Sequence, residues 1–494
     1  MAIALDRKTY ELFIDGKSVQ PMSGDYVDVI NPATNEPFAK VAAAGIHDAD
    51  AAVDAARKAL SGKWSSMPPA RRARTLFKIA ALISERLNDL ARLEVINSGK
   101  TLASAKAEIS QVVEDFEFYG GAVTKHGGST IPSLPGFFNY TLKEPIGVCA
   151  QIVPWNYPLL MAAWKVAPAI AAGNTVILKP ASATPLTALA LGEICLEAGC
   201  PPGVVNVLPG PGATIGAYLA GHPGVDKIAF TGETSTGRSI MEIASATIKR
   251  VTLELGGKSP NVIFDDADLD AAVAGALHAI FYNAGQSCDA RSRILLQAGL
   301  YERFMAKFVA RAQALRVGDP LDPATQVGAL ISPKQLQTVE GYIGIGQQEG
   351  ATLACGGTRP NGTTTRGNFL MPTVLDKVDN SMRVAQEEIF GPVAVVTTFK
   401  DEQEAIAIAN DTVYGLAASV WTQNAGRAQR VASALKAGGV GINTPFSIFP
   451  GVPFGGYKQS GFGRELAMQT LDLYSETKGV VMYTGTKPLD PFAG

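Results

Sequence analysis

Cys288 stands in the run Gly285-Gln286-Ser287-Cys288-Asp289, just past an amphipathic helical pattern. A thiolate there is a strong nucleophile toward a carbonyl carbon. A lone cysteine is more often a small buried hydrophobe, and Cys149 and Cys195, inside apolar patterns, take that plainer reading. Glu254 sits in Val251-Thr-Leu-Glu-Leu-Gly-Gly257. A carboxylate inside an apolar strand is costly to bury. It is either a general base with a raised pKa or a solvent-facing strand residue. Lys179-Pro180 follows a short apolar run and places an ammonium at the mouth of a sheet or simply at an exposed strand end. The loop from Phe230 to Ser239 narrowly misses the phosphate-cradling GxxxxGK[ST] pattern, because Arg238 stands where lysine is needed. Arginine does not replace that compact point charge. A nucleoside triphosphatase is therefore discounted, while a glycine turn open to a dinucleotide is kept. Gly210 to Gly216 misses GxGxxG by one residue and reads as a turn before a helix.

These residues need a scaffold, and the hydrophobic pattern supplies one. Strand-like runs lie at Ile146–Val153, Thr175–Leu178, Lys227–Thr231, Val251–Leu255 and Asn261–Phe264. Helical patterns alternate with several of them, at Ala162–Ala172 and at Thr184–Ala198, where Thr184 is the expected N-cap, Pro185 the first helical residue and Gly199 the stop. The alternation predicts an α/β fold with a helix-covered parallel sheet. Asn156, Lys179, Gly232 and Glu254 all fall at the carboxyl ends of predicted strands, where open α/β sheets bind ligands. Earlier helices are expected from Asp48 to Leu60, from Pro69 to about Asn97 and from Thr101 to about Tyr119. A second α/β stretch runs through Asp268–Ala284, Ile294–Gln297, Tyr301–Arg316 and Val393–Asn443, and the tail from Leu473 to Tyr483 is expected to be extended.

Composition narrows the classes. The chain has 494 residues, 47% hydrophobic and 18% charged, with 43 basic against 45 acidic side chains. The balanced charge carries no nucleic-acid footprint. Leu159–Leu178 is apolar, but Lys165, Pro168, Gly173 and Asn174 interrupt it, so no membrane span is expected. Met1–Tyr10 has no apolar signal core. Five cysteines without a CxxC pair suggest a reduced, cytoplasmic protein, and four histidines without metal-ligand spacing suggest no metal site.

Seven motifs in order resemble the aldehyde dehydrogenase superfamily. They are Pro154-Trp-Asn-Tyr-Pro158, Lys179-Pro-Ala-Ser-Ala-Thr-Pro185, Phe230-Thr-Gly232, Leu253-Glu-Leu-Gly-Gly257, Gly285-Gln-Ser-Cys288, Glu388-Ile-Phe-Gly-Pro392 and Pro453-Phe-Gly-Gly-Tyr-Lys-Gln-Ser-Gly461. Glu254 and Cys288 are 34 positions apart, as in that family. The resemblance implies that Cys288 attacks an aldehyde and that Asn156, with the Cys288 N–H, holds the oxyanion. It implies that Glu254 activates the water that hydrolyses the thioester. It places Glu388 on the nicotinamide ribose, Phe390 near the nicotinamide, Lys179 on the adenosine ribose, and Gly232 and Glu233 near the pyrophosphate. Pro154 and Trp155 join the cofactor site.

Many NAD-preferring members carry Glu where this chain has Ser182. Loss of that charge removes repulsion against a 2′-phosphate, so the cofactor expected is NADP, with NAD accepted. Glu233 is unusual beside a pyrophosphate unless it turns to solvent. A substrate tunnel is expected from Tyr157, Leu160, Met161, Trp164, Phe446, Ile448 and Phe454. These suit a medium-sized aliphatic or aromatic aldehyde, although Arg291 and Arg293 offer a cation for a semialdehyde.

The family fold implies a Rossmann-like cofactor domain (1–124 and 146–256), an α/β catalytic domain (257–472) and a small β-arm (125–145 and 473–494). Exposed arm edges imply a homodimer or homotetramer. The competing readings are a semialdehyde dehydrogenase, a CoA-acylating relative, which would typically lack Glu254, and a catalytically silent member. A cysteine hydrolase would need a histidine partner, and nothing marks His278, ten residues before Cys288, as a base.

Overall fold

Short apolar runs that are buried on both faces pair in parallel, because only helices packed above and below can cover them. Val148–Ile152, Thr175–Lys179 and Lys227–Thr231 are buried at every residue. The computed structural model describes residues 8–362, 366–446, 448–487, 489 and 492. The start of the leader reading, at residues 1–7, and several arm positions from 488 onward lie outside the described residues.

Among the described residues the largest sheet has eight strands, in the order Gly461–Phe462, Arg250–Glu254, Lys227–Thr231, Val148–Ile152, Thr175–Lys179, Val205–Val207, Leu12–Ile14, Lys17–Val19. The five strands from Arg250–Glu254 to Val205–Val207 are parallel. Register sets Thr231 opposite Glu254, Phe230 opposite Ile152, and Ile152 opposite Lys179. The carboxyl ends that precede Asn156 and Gly232, and those that carry Glu254 and Lys179, therefore share one edge of the sheet. A seven-stranded sheet runs from Thr352–Cys355 to Gly439–Ile442 and is parallel except for its first strand. Phe137–Pro145 pairs antiparallel with Ser475–Tyr483 and with Thr130–Ile131 in a small separate sheet. No helix among the described residues is long and apolar enough to cross a membrane.

Helix Pro158–Ala171 is buried along its whole length, Lys165 and Pro168 included. Lys165 pairs with Glu465, itself nearly buried. Such a charge survives burial only when paired.

Several expected boundaries move. The pattern from Pro69 to Asn97 is two helices, Pro69–Glu85 and Leu87–Ser98. Arg86 leaves helical geometry between them (φ −106°, ψ 13°), and its guanidinium binds both carboxylate oxygens of Glu197 at 2.8 and 2.9 Å. The helix expected from Pro185 begins at Leu186, with Pro185 at the N-cap position. Thr184 does not cap it. Asn97 reaches the Leu186 N–H instead, at 3.4 Å. Helix Pro333–Gln348 and strands Thr352–Cys355 and Thr373–Asp376 fill a stretch the sequence reading left blank. Ser332 caps that helix through the Gln335 N–H.

Glu94, fully buried, accepts from the Leu159 N–H at 3.1 Å and from the Thr187 hydroxyl at 2.8 Å. One carboxylate thus caps helix Pro158–Ala171 and pins helix Leu186–Ala198. Glu94→Ala leaves two buried donors unmet, at about 1–3 kcal/mol each. Chemical denaturation is expected to show a stability loss of about 2–6 kcal/mol.

Candidate active site

Asp268 caps helix Leu269–Phe281 through the Ala271 N–H at 3.0 Å. The helix was expected to reach Ala284 but stops at Phe281. Asn283, Ala284 and Gly285 then turn left-handed in succession, at φ 51°, 53° and 71°. Two non-glycine residues in that region are costly and persist only where surroundings enforce them. Gly285 passes so close to Gly391 that a Cβ would stand 2.0 Å from its carbonyl oxygen.

Hydrogen bonds enforce the turn. The Asn283 amide donates to the carbonyls of Asn156 (3.0 Å) and Gln286 (3.2 Å). The Asn156 amide donates to Gln286 O at 3.0 Å. Lys100 Nζ donates to Asn156 O at 3.0 Å. Gln286 Oε1 accepts from the Ile331 N–H at 2.9 Å. The Pro154–Pro158 loop of one sheet is therefore tied directly to the Cys288 loop of the other.

Cys288, half-buried, lines two cavities. One, of about 480 Å³, also takes in Asn156, Glu254 and Glu388. Burial pushes the Cys288 thiol well above its ordinary range, and the carboxylates of Asp289, Glu388 and Glu254 add to the effect. Glu254 is buried, and neither of its oxygens has a hydrogen-bond partner. Burial raises its pKa well above the usual carboxylate range and Glu465 raises it further, against the pull of Lys165 and Arg464. Burial likewise pushes Glu388 to about 7, although it accepts the Gly257 N–H at 3.1 Å.

Pro154, Trp155, Gly232, Glu233 and Phe390 line this same cavity. Trp155 and Phe390 meet edge to face at 5.2 Å. Glu233 is exposed and stands at the N-cap of helix Thr234–Ser245 without capping it through its side chain. The uncapped helix end leaves N–H donors free for an anion. The hydroxyls of Thr231 and Thr234 nearby are buried without partners. Lys179 and Ser182 lie outside this cavity, beside the Gly210–Gly212 turn. Ser182 donates to Gly210 O at 2.9 Å, and Lys179 Nζ would stand 3.6 Å from a Cβ at Gly212. Burial lowers Lys179 to about 8.

The other cavity, of about 390 Å³, is lined by Cys288 together with Tyr157, Leu160, Met161, Trp164, Phe446, Ile448 and Phe454. The Tyr157 hydroxyl, the one polar handle expected there, is already bonded to Ser287 Oγ at 3.2 Å. Arg291 lines the cavity but pairs with Asp289. Arg293 is elsewhere. It is buried and donates to the carbonyls of Lys258, Ile408 and Ala409. Neither arginine is the unpaired cation a semialdehyde would want.

The Aldehyde dehydrogenase family model matches residues 19–480. The chain belongs to the aldehyde dehydrogenase family. It is 46% identical over 480 residues to a betaine aldehyde dehydrogenase of Bacillus subtilis, covering 97% of this chain and 98% of that one. It is also 46% identical to an aldehyde dehydrogenase of Emericella nidulans, covering 95% and 94%. The crystal structure of betaine aldehyde dehydrogenase from Staphylococcus aureus in complex with NAD+ superposes with a TM-score of 0.97 at 41% identity, covering 99% and 98%. The protein is accordingly an NAD(P)-dependent aldehyde dehydrogenase with an α/β fold.

The sequence reading of this aldehyde dehydrogenase missed Gln335, Thr338 and Tyr342, which line the larger cavity from helix Pro333–Gln348. The Ser332-Pro333 pair, an N-cap followed by proline at the first helical position, was the available signal. It also missed Glu108 in the smaller cavity, and it weighed His278 only as a base for Cys288, not as part of that cavity's wall. Gly285→Ala meets both a positive φ and the Gly391 carbonyl, so the Cys288 loop must shift. Steady-state assays are expected to show kcat/KM down ~100-fold, as displacement of a reacting group by about 1 Å does.

Proposed function

We propose that this enzyme oxidises aldehydes to carboxylic acids by a covalent, hydrolytic route with Cys288 as nucleophile. The observation that carries the reading is Cys288 at the junction of two cavities, one apolar and aromatic, the other holding Glu254, Asn156 and Glu388. An aldehyde entering through the first meets Cys288, whose thiol gives up its proton to solvent water and whose sulfur then adds to the carbonyl carbon. Asn156 and the Cys288 N–H stabilise the oxyanion. NAD(P), when bound in the second cavity, supplies the hydride acceptor. Glu388 and Phe390 hold its nicotinamide end. Gly232, with the uncapped helix behind Glu233, takes the pyrophosphate, and Pro154 and Trp155 wall the site. Lys179 and Ser182 take the adenosine ribose. Glu254 then removes a proton from water, which attacks the thioester and frees the acid. The absence of a carboxylate at position 182 supports use of NADP as well as NAD.

The three sheets named above support domain limits at 1–124 with 146–256, at 257–472, and an arm of 125–145 with 473–494, although strand Gly461–Phe462 crosses from the second to join the eight-stranded sheet. The arm exposes Phe138, Leu142, Val481 and Met482, which supports burial of its face in a homodimer or homotetramer. Five free cysteines support a reducing, cytoplasmic setting.

Aromatic walls and the paired charges Asp289–Arg291 and Glu108–Lys100 support a neutral, medium-sized aliphatic or aromatic aldehyde as substrate. A second reading is an aldehyde with a cationic end. Relatives named for betaine aldehyde favour it, as does a cage of Tyr157, Trp164, Tyr282 and Phe454. Lys100 already occupies one face of Tyr157, 4.7 Å from its ring centre. Initial rates with NAD and NADP across benzaldehyde, hexanal and betaine aldehyde separate the two. The expected order has the neutral aldehydes ahead by roughly tenfold or more in kcat/KM, and NADP active. The reverse order adopts the cationic reading.

Because Glu254 must be ionised to act and its pKa is raised, turnover is expected to climb with pH beyond the ordinary carboxylate range. Glu254→Gln removes the part of that rise that comes from hydrolysis of the thioester and leaves the part set by ionisation of the Cys288 thiol. Rapid mixing should show a burst of about one reduced cofactor per site followed by turnover slowed ~100-fold or more, with acyl-enzyme visible by mass spectrometry. Cys288→Ala should give no burst. A burst that vanishes in Glu254→Gln, or one that persists without Cys288, would overturn the assignment.

A further inference from the structure

His278 lies on helix Leu269–Phe281 and lines the same cavity as Cys288. Its ring packs against Tyr282, tilted by 33°, and against Phe446, edge to face at 61°, each with its ring centre 4.8 Å away. Phe446 is 51% exposed, which sets this aromatic trio at the solvent end of the tunnel. Neither imidazole nitrogen hydrogen-bonds a protein group among the described residues.

Most of the other polar groups along the wall are engaged or sealed, Gln111 Oε1 being the open exception. Asp289 pairs with Arg291 and accepts from Ser287, and Ser287 accepts from Tyr157. Glu108 holds Lys100, and its second oxygen, like the Gln111 amide nitrogen, is closed off from the cavity. Burial and the Arg291 charge hold the imidazole toward its neutral form, against Asp289. A neutral imidazole offers one donor and one acceptor. That pair matches a hydroxyl, which both donates and accepts.

We infer that His278 reads the far end of the aldehyde and selects substrates carrying a hydroxyl remote from the carbonyl. The inference rests on the reading of this cavity as the aldehyde tunnel. It assigns the specificity of the outer tunnel to one ring packed against two aromatics, tilted on Tyr282 and edge-to-face with Phe446, which leave its nitrogens to the substrate.

The test compares 4-(hydroxymethyl)benzaldehyde with 4-ethylbenzaldehyde. The two are close in size and in their electronic effect on the carbonyl, so their ratio of kcat/KM isolates the hydroxyl. Benzaldehyde serves as the internal reference. The wild-type enzyme is expected to favour the hydroxymethyl substrate roughly five- to tenfold, mostly through KM, the worth of one neutral hydrogen bond. His278→Phe should bring the ratio to about one, and His278→Asn, which keeps a donor and an acceptor, should restore part of it. Should the Phe variant fail to fold, His278→Leu is read in the same way. No preference in the wild type, or a ratio untouched in the variants, overturns the inference. Turnover of none of the three aldehydes by folded wild-type enzyme would instead overturn the tunnel reading, and this inference with it.

Discussion

The amide of Asn156 and the loop that presents Cys288 are bound to each other across the gap between two sheets. Asn156 donates to Gln286, Asn283 donates back to Asn156, and Lys100 closes the same carbonyl. Every other feature of the site follows from that clasp. It fixes where the carboxyl edge of the eight-stranded sheet meets the seven-stranded one, and so where Cys288 from one and Glu254 from the other line a common cavity. It also stabilises three consecutive left-handed residues that would otherwise relax.

Charge inside this assembly is handled by pairing or by neutralisation. Lys165 with Glu465 and Lys100 with Glu108 are nearly dry ion pairs. Glu254 has no such partner, and burial keeps its proton on more tightly than in water. The contrast suits a group that must gain and lose a proton rather than hold a fixed charge.

The sequence carried the site more clearly than the fold around it. Glu254 and Cys288 were visible because a carboxylate in an apolar strand and a cysteine after Gly-Gln-Ser are chemically out of place. Strand ends at Lys179 and Gly232 followed from short apolar runs. The break at Arg86 was not legible, since no glycine or proline marks it and its cause, Glu197, lies 111 positions away. Thr184 looked like an N-cap because local chemistry favours threonine there, yet Asn97 from a distant helix does the work. Periodicity carries the helix on through Asn283 and Ala284, because Asn and Ala fit it until tertiary bonds overrule it. Helix Pro333–Gln348 is not marked out by its Ser-Pro start alone, and with it one wall of the larger cavity goes unread.

Helix Pro158–Ala171 has no face that touches solvent. A helix buried on all sides cannot be stabilised by water on one flank, so it has no partly assembled resting place. Until the strands on either side of it are paired, the chain displays an apolar segment about as long as Leu159–Leu178. Such a segment is sticky during synthesis, and its lysine, waiting for Glu465 some 300 residues downstream, is the one charge that keeps it in water. A fully buried element of the enzyme is thus also an exposure of the nascent chain to misassociation, and a residue near the end of the polypeptide decides when that exposure ends.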